Sequence, residues 1–188
     1  NTISNVCVVC GPGQYSPGEK EKVCLECNIG QYSSNDNTDP AVGETISGAG
    51  DGKVGNDRCT VCPEGYVQPL PKQNECTSCE EGKRQVALQI CEECSKGAYQ
   101  PDEAKKECLT CPDGWVQPIV NGVSCTECLA GSYMVSTQII CEVCTLGQFQ
   151  PEAGTSGCIR CDPGKVQKEE GESTCDECEA GFFAPKQG

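Results

Sequence analysis

All 20 cysteines of the 188-residue chain fall into ten Cys-x-x-Cys pairs, beginning at Cys7, Cys24, Cys59, Cys76, Cys91, Cys108, Cys125, Cys141, Cys158 and Cys175. Three chemistries use this spacing. Two pairs can close a tetrahedral four-thiolate site around structural zinc. One reactive pair on an α/β scaffold can run thiol–disulfide exchange. Many pairs in a small-domain sequence can form a framework of structural disulfides. Ten equivalent pairs speak against the redox role. The acidic, Gly- and Pro-rich background and the short uniform loops weigh against zinc without removing it. Structural disulfides are the favoured chemistry.

Nothing else in the sequence is built for catalysis. There is no histidine, so no imidazole base and no histidine-based triad. No glycine loop leads into a helix to cradle phosphate. Carboxylate pairs such as Glu80-Glu81 and Glu169-Glu170 read as solvated faces. The expectation is a protein that is not an enzyme and carries no cofactor. The net charge of −14 makes nucleic acid an unfavourable partner and an anionic membrane surface equally so. No apolar run reaches the length of a membrane span. The sequence begins at Asn1 with neither Met nor signal peptide, which reads as a processed or truncated product. Together with the cysteine content, this points to an extracellular or cell-surface location.

The elements that must position the cysteines are few. Leu, Ile, Val and Phe make only 32 residues, too few for a compact core in a chain of this length. The 22 glycines and 12 prolines favour turns. Covalent staples must then offset the entropy of ordering the chain. The pairs start 17, 35, 17, 15, 17, 17, 16, 17 and 17 residues apart. One unit of about 17 residues therefore repeats ten times, with a single insertion, as in a quasi-one-dimensional array. A glycine lies three residues after the second cysteine of every unit, from Gly13 and Gly30 to Gly164 and Gly181. That constancy predicts a turn with φ > 0. Two residues further on, Tyr15, Tyr32, Tyr99, Tyr133, Phe149 and Phe183 are expected to pack on the disulfides as miniature cores.

A longer period lies above the first. Tyr66-Val67-Gln68-Pro69, Trp115-Val116-Gln117-Pro118 and Lys165-Val166-Gln167-Lys168 occur in every third unit. Leu88-Gln89-Ile90 and Gln138-Ile139-Ile140 close two further units that are likewise three apart. The sequence thus divides into a first unit at 1–23 and three-unit blocks at 24–90, 91–140 and 141–188. The first block carries an inserted loop at 33–56. That loop is rich in Ser, Thr, Asn, Asp and Gly. Ser33, Ser34, Thr38, Thr45 and Ser47 are its candidates for O-linked glycan, since the chain has no Asn-x-Ser/Thr sequon. Asp36, Asp39, Glu44, Asp51 and Asp57 offer oxygen ligands for Ca²⁺ but lack EF-hand spacing, so a plain solvated loop is the favoured reading.

The order Cys-x-x-Gly-x-Tyr, a cysteine about 14 residues on, then another Cys-x-x-Cys resembles the ephrin-receptor-like cysteine-rich repeats. It also resembles the cysteine-rich modules of tumour necrosis factor receptors. Similar tandem repeats occur in protist surface and appendage proteins of the mastigoneme type. The resemblance covers essentially the whole chain. It implies that the cysteine before Gly-x-Tyr bonds the next cysteine downstream. The pairs would then be Cys10 with Cys24, Cys27 with Cys59, Cys62 with Cys76, Cys79 with Cys91, and Cys94 with Cys108. They would continue as Cys111 with Cys125, Cys128 with Cys141, Cys144 with Cys158, and Cys161 with Cys175. This ladder treats all units alike and suits the three-unit period. It leaves Cys7 and Cys178 to pair with flanking sequence or with another chain. A rival scheme, Cys7 with Cys24 and Cys10 with Cys27, satisfies every cysteine but groups the units in twos.

The expected fold is small, disulfide-rich and mostly irregular or β, an elongated solenoid-like rod of ten units with short two-stranded hairpins. The expected function is an extracellular structural protein, a rod-like subunit of a filament, appendage or coat. Its partners would be copies of itself or related repeats, head to tail, meeting near 1–10 and 175–188. The alternative is a receptor or adhesion ectodomain that binds a protein ligand. At about 10 Å per stacked unit the rod would be on the order of 100 Å long. Small-angle X-ray scattering should return that maximum dimension, and a compact globule would contradict the reading.

Overall fold

The computed structural model describes residues 7–18, 21–33, 57–135 and 139–184. Among these residues there is no helix, and eighteen strands form nine two-stranded sheets. Sixteen of the strands are only two residues long. The chain clusters into two compact units, residues 1–92 with 103–107 and residues 93–102 with 108–188. Both are built from the same repeated pattern.

Each unit begins its path with a four-residue turn. In the Cys59 unit the Tyr66 N–H donates to the Pro63 carbonyl at 3.1 Å, and Gly65 sits third in the turn with φ of 83°. A positive φ at that position is the requirement of a type II turn, and glycine meets it without a Cβ clash. Trp115 to Pro112 and Lys165 to Asp162 repeat the bond, around Gly114 and Gly164. The two residues after the glycine form a strand. Its partner is the x-x dipeptide of the next unit's Cys-x-x-Cys. Gln14–Tyr15 thus pairs antiparallel with Leu25–Glu26, with Gln14 opposite Glu26 and Tyr15 opposite Leu25. Trp115–Val116 pairs in the same way with Thr126–Glu127, and Lys165–Val166 with Asp176–Glu177. Each hairpin therefore ties one unit to the next.

At several junctions four further main-chain hydrogen bonds join consecutive units. Between the Cys91 and Cys108 units, Gly97 N–H donates to Gln117 C=O at 2.8 Å and Cys111 N–H to Gly97 C=O at 3.0 Å. Gln100 N–H donates to Gly122 C=O and Asn121 N–H to Cys94 C=O, both at 2.9 Å. Between the Cys141 and Cys158 units the same four run from Gly147 to Gln167, Cys161 to Gly147, Gln150 to Glu172 and Gly171 to Cys144. Near the start of the chain they run from Gly30 to Gln68, Cys62 to Gly30, Ser33 to Gln73 and Lys72 to Cys27.

The residue that donates to the buried cysteine carbonyl lies ten positions after its own second cysteine. There Lys72, Ala104, Asn121, Gly154 and Gly171 all have positive φ, between 55° and 79°. These left-handed corners also explain the invariant glycines. A methyl on Gly65 would fall inside the Ala104 carbonyl, and one on Gly114 inside that of Gly154. The glycine both supplies its own turn and makes room for the corner of the unit two steps on.

The units beginning at Cys76 and Cys125 have shorter loops, their bonded cysteines standing 12 and 13 positions apart. Neither has a positive-φ corner among the described residues. The Cys76 unit instead closes as a longer hairpin, Lys83–Ala87 with Ile90–Glu93. Its Leu88 side chain lies where a methyl on Gly30 would be, with Cβ at 2.6 Å. Ile139 of the Cys125 unit takes the equivalent place, 3.5 Å from such a methyl on Gly97. The apolar residues that mark these units in the sequence thus take the place of the missing corner.

The buried interior is small and partly polar. Tyr32 is 1% exposed and clusters with Cys62, Cys76 and the half-buried Tyr66. Val116, Cys128 and Met134 form a second cluster. Tyr15, Tyr99, Tyr133 and Phe149 are only half-buried, while Phe183 is 82% exposed, so the expected aromatic miniature core does not extend to it. The largest buried polar class is glutamine: Gln68, Gln85, Gln100, Gln117, Gln150 and Gln167, each six residues after a second cysteine. Gln167 Nε2 donates to Thr174 C=O at 2.7 Å, and its Oε1 accepts from Glu169 N–H at 2.9 Å. Gln68 and Gln150 bracket their loops in the same way. Gln85, in a shortened loop, turns to Gly65 N–H and Tyr66 C=O instead. Removing such a side chain strands two main-chain groups, at a cost of about 1–3 kcal/mol. Gln167→Ala should therefore speed amide exchange at Glu169 about tenfold or more. An unchanged rate in hydrogen-exchange mass spectrometry would rule out the bracket.

Candidate functional site: the disulfide ladder and two free thiols

Nine disulfides close the units. They join Cys10–Cys24, Cys27–Cys59, Cys62–Cys76, Cys79–Cys91, Cys94–Cys108, Cys111–Cys125, Cys128–Cys141, Cys144–Cys158 and Cys161–Cys175. Six span 14 residues, two span fewer, and Cys27–Cys59 spans 32 because it contains the insertion. In each bond the upstream cysteine is buried; six of them, Cys27, Cys79, Cys94, Cys128, Cys144 and Cys161, are fully so. The downstream cysteine is half-buried in every bond except that of Cys76. The asymmetry follows from the turn. The upstream cysteine lies beneath the following unit, whereas the downstream one sits where a strand begins.

Two thiols are free. Cys7 is exposed and Cys178 is half-buried. Cys178 keeps the local geometry of the other second cysteines, with its N–H donating to Gly164 C=O at 3.0 Å.

No group of three metal-ligating side chains occurs among the described residues. Of the proposed calcium ligands only Asp57 is described; it pairs with Arg58 at 3.5 Å in a fully solvated setting. Asp36, Asp39, Glu44 and Asp51 lie outside the described residues. So do the glycan candidates Ser34, Thr38, Thr45 and Ser47. Ser33 requires a correction. It is 3% exposed, and its hydroxyl donates to Gln14 C=O at 3.1 Å. It directly follows the strand Gln31–Tyr32, its main chain bonds Gly13 and Gln73, and its buried oxygen is closed to a glycan.

One shallow, open depression of about 250 Å³ is lined by Cys62, Glu64, Gln85, Val86, Ala87, Leu88 and Lys106. At its edge Lys106 Nζ donates to Glu64 Oε1 at 2.7 Å. The hydrogen bond and the charge of Lys106 hold the Glu64 carboxyl below its ordinary pKa, and Glu64 raises that of Lys106. Both groups thus keep their charges over a wider pH range than usual, the opposite of what a proton-transfer pair needs. Lys83 lowers Glu80 by the same two effects, and the Tyr133 hydroxyl is raised by its hydrogen bond to Glu142. All of these are solvated surface contacts.

The repeated disulfide, glycine turn and hairpin have a family counterpart. Residues 83–128 and 131–174 match the family model for tyrosine-protein kinase ephrin type A/B receptor-like sequences. These two segments are similar to ephrin-receptor-like cysteine-rich repeats. Together they cover just under half of the chain. The units at Cys7 and Cys59 lie outside the matched segments yet have the same bonded loops and hairpins, and the Cys24 unit has the same hairpin with a longer bonded loop. No curated protein matches the chain. Ephrin-receptor-like repeats are a non-catalytic type, and nine disulfides in repeats of an ectodomain class fit an extracellular setting. Among the described residues no helix is long and apolar enough to cross a membrane.

The glutamine bracket and the left-handed corner were not recognised from the sequence. The signal for the first was present, since Gln recurs at one offset in six of ten units. The second has no residue signature, because Lys, Ala, Asn and Gly all fill it. If the disulfides carry the structure, each 14-residue loop contributes about 3 kcal/mol in the chain-entropy picture. Full reduction should then abolish the hairpins by circular dichroism, while a zinc chelator leaves the oxidised protein unchanged. The converse result would establish a zinc protein.

Proposed function

We propose that this chain is a non-catalytic extracellular structural protein, a subunit of a filament, appendage or surface coat. One observation carries the reading. The same hairpin and disulfide recur from unit to unit, and the set of four main-chain bonds recurs at four of the junctions, so the repeated geometry of the described residues serves to join units. The three-unit blocks at 24–90, 91–140 and 141–188 would give such a subunit a repeating lateral surface.

A second reading has its own support. The Cys76 unit departs from the pattern and exposes Val86, Leu88 and Ile90 beside the shallow depression. Apolar residues on a rigid, atypical hairpin are what a receptor or adhesion module offers to a protein ligand. Negative-stain microscopy of native material separates the two. Fibres or an ordered coat support the structural role. Isolated particles carrying a co-purifying protein that Val86→Ser and Ile90→Ser release would support the receptor role.

A further inference from the structure

The nine disulfides share one chemistry but not one exposure. Thiol–disulfide exchange needs a thiolate to reach one of the two sulfurs, so its rate follows access as well as reactivity. In eight of the bonds the downstream cysteine, from Cys24 to Cys175, is half-buried. Cys62–Cys76 is the exception, with Cys62 5% exposed and Cys76 7%. Its cover comes from the preceding unit. Tyr32, 1% exposed, clusters with both cysteines, and the half-buried Tyr66 packs against them. Main-chain bonds on either side of Tyr32 hold its segment over the loop. Gly30 N–H donates to Gln68 C=O at 2.8 Å and Ser33 N–H to Gln73 C=O at 3.1 Å. Gln68 Nε2 in turn donates to Glu75 C=O at 2.6 Å and fixes the main chain directly before Cys76. At the next junctions of this kind Tyr99, Tyr133 and Phe149 take the place of Tyr32. They are only half-buried, and so are Cys125, Cys158 and Cys175 in the loops that they overlie. Cys62 also lines the shallow depression beside Val86, yet its low exposure leaves little of it for a thiol to reach.

We propose that Cys62–Cys76 is the reduction-resistant step of the ladder. A small dithiol opens the other eight bonds first and reaches this one only when the Tyr32 segment lifts. The order belongs to the fold and holds for a structural subunit and a receptor alike. One thiolate of the dithiol attacks a protein sulfur, forms a mixed disulfide and releases the other cysteine as a thiolate. The second thiolate of the same molecule attacks the mixed disulfide, closes a cyclic disulfide and releases the remaining cysteine. The protein disulfide gains two electrons and two protons, and the dithiol is oxidised to its cyclic disulfide. At the half-buried bonds the attack starts on the downstream cysteine with the unit closed. At Cys62–Cys76 a local opening comes first, and its free energy adds to the barrier. Under mild reduction the Cys59 loop thus stays closed and keeps the Gln68 bracket in its native register while the flanking closures are open.

The test exposes the full oxidised chain to limiting dithiothreitol, quenches samples with iodoacetamide and maps the alkylated cysteines by mass spectrometry. Labelling at Cys62 and Cys76 should lag that at the other bonded cysteines about tenfold or more. In concentrated urea the lag should vanish. Tyr32→Ala should bring Cys76 into step with the rest and leave the rate at Cys144–Cys158 unchanged. Opening of Cys62–Cys76 together with or ahead of the half-buried bonds would overturn the proposal. So would a lag that persists in urea, which would place its cause in the local sequence. An unchanged lag in a Tyr32→Ala chain with all nine bonds formed would overturn the role of the ring. The comparison of native and urea-treated unmodified chain decides the matter even where Tyr32→Ala does not form all nine bonds.

Discussion

The bond between a buried cysteine and the cysteine that opens the next unit is the constraint on which the rest depends. Two residues of strand cannot hold a hairpin in water. Here the disulfide fixes the loop ends, and the strand pair forms across a closure whose entropy has already been removed. The turn glycine sets the direction in which the chain leaves the buried cysteine. With these two features fixed, the strand dipeptide meets the next Cys-x-x-Cys and no other segment. Long-range order is thereby reduced to a succession of local closures.

What a hydrophobic core does in an ordinary domain is shared here between covalent and polar contacts. The clusters around Tyr32 and Met134 are islands of a few residues. They are too small to account for the ordering of the chain. Up to four main-chain hydrogen bonds per junction and a buried glutamine in most units supply the directional part. A net hydrogen bond contributes about 1 kcal/mol, against about 3 kcal/mol for each closed loop. The polar bonds matter most as specification. An amide that finds no carbonyl across the junction is buried and unpaired, so units that stack in the wrong register are penalised. Exposed ion pairs such as Lys72 with Glu26 add little to this, because solvent screens them.

The features legible in the sequence are those that each unit carries by itself. The cysteine period, the glycine after each second cysteine, the scarcity of helix and the presence of two-stranded hairpins all follow from local pattern. Which cysteine bonds which was not local: spacing allowed two schemes, and the structure has the ladder. The partner of each strand was also hidden, because a dipeptide between two cysteines carries no alternation to read. Lys72, Ala104 and Asn121 share a backbone conformation imposed by the neighbouring unit, and nothing in their side chains announces it. Ser33 looked like the first residue of a polar loop. Its main chain is in fact part of the junction, which buries its hydroxyl. Leu88 and Ile139 were visible as apolar, but their role as substitutes for a missing corner depends on glycines more than forty residues earlier.

The glutamine bracket separates frame from surface. The residue two positions after it is held by its own N–H to the glutamine oxygen, so its place is fixed whatever its side chain. Leu70 and Ile119 occupy that place in two units, and Asp102, Glu152 and Glu169 in three others. The aliphatic pair is 58% and 64% exposed. A constant scaffold thus presents apolar groups at some steps and carboxylates at others, at no cost to the closures beneath. Such an arrangement lets the lateral surface of the repeats diverge freely while the junctions stay the same. It is why the repeated disulfide, turn and hairpin settle the architecture and leave the partner to be read from the side chains that the frame displays.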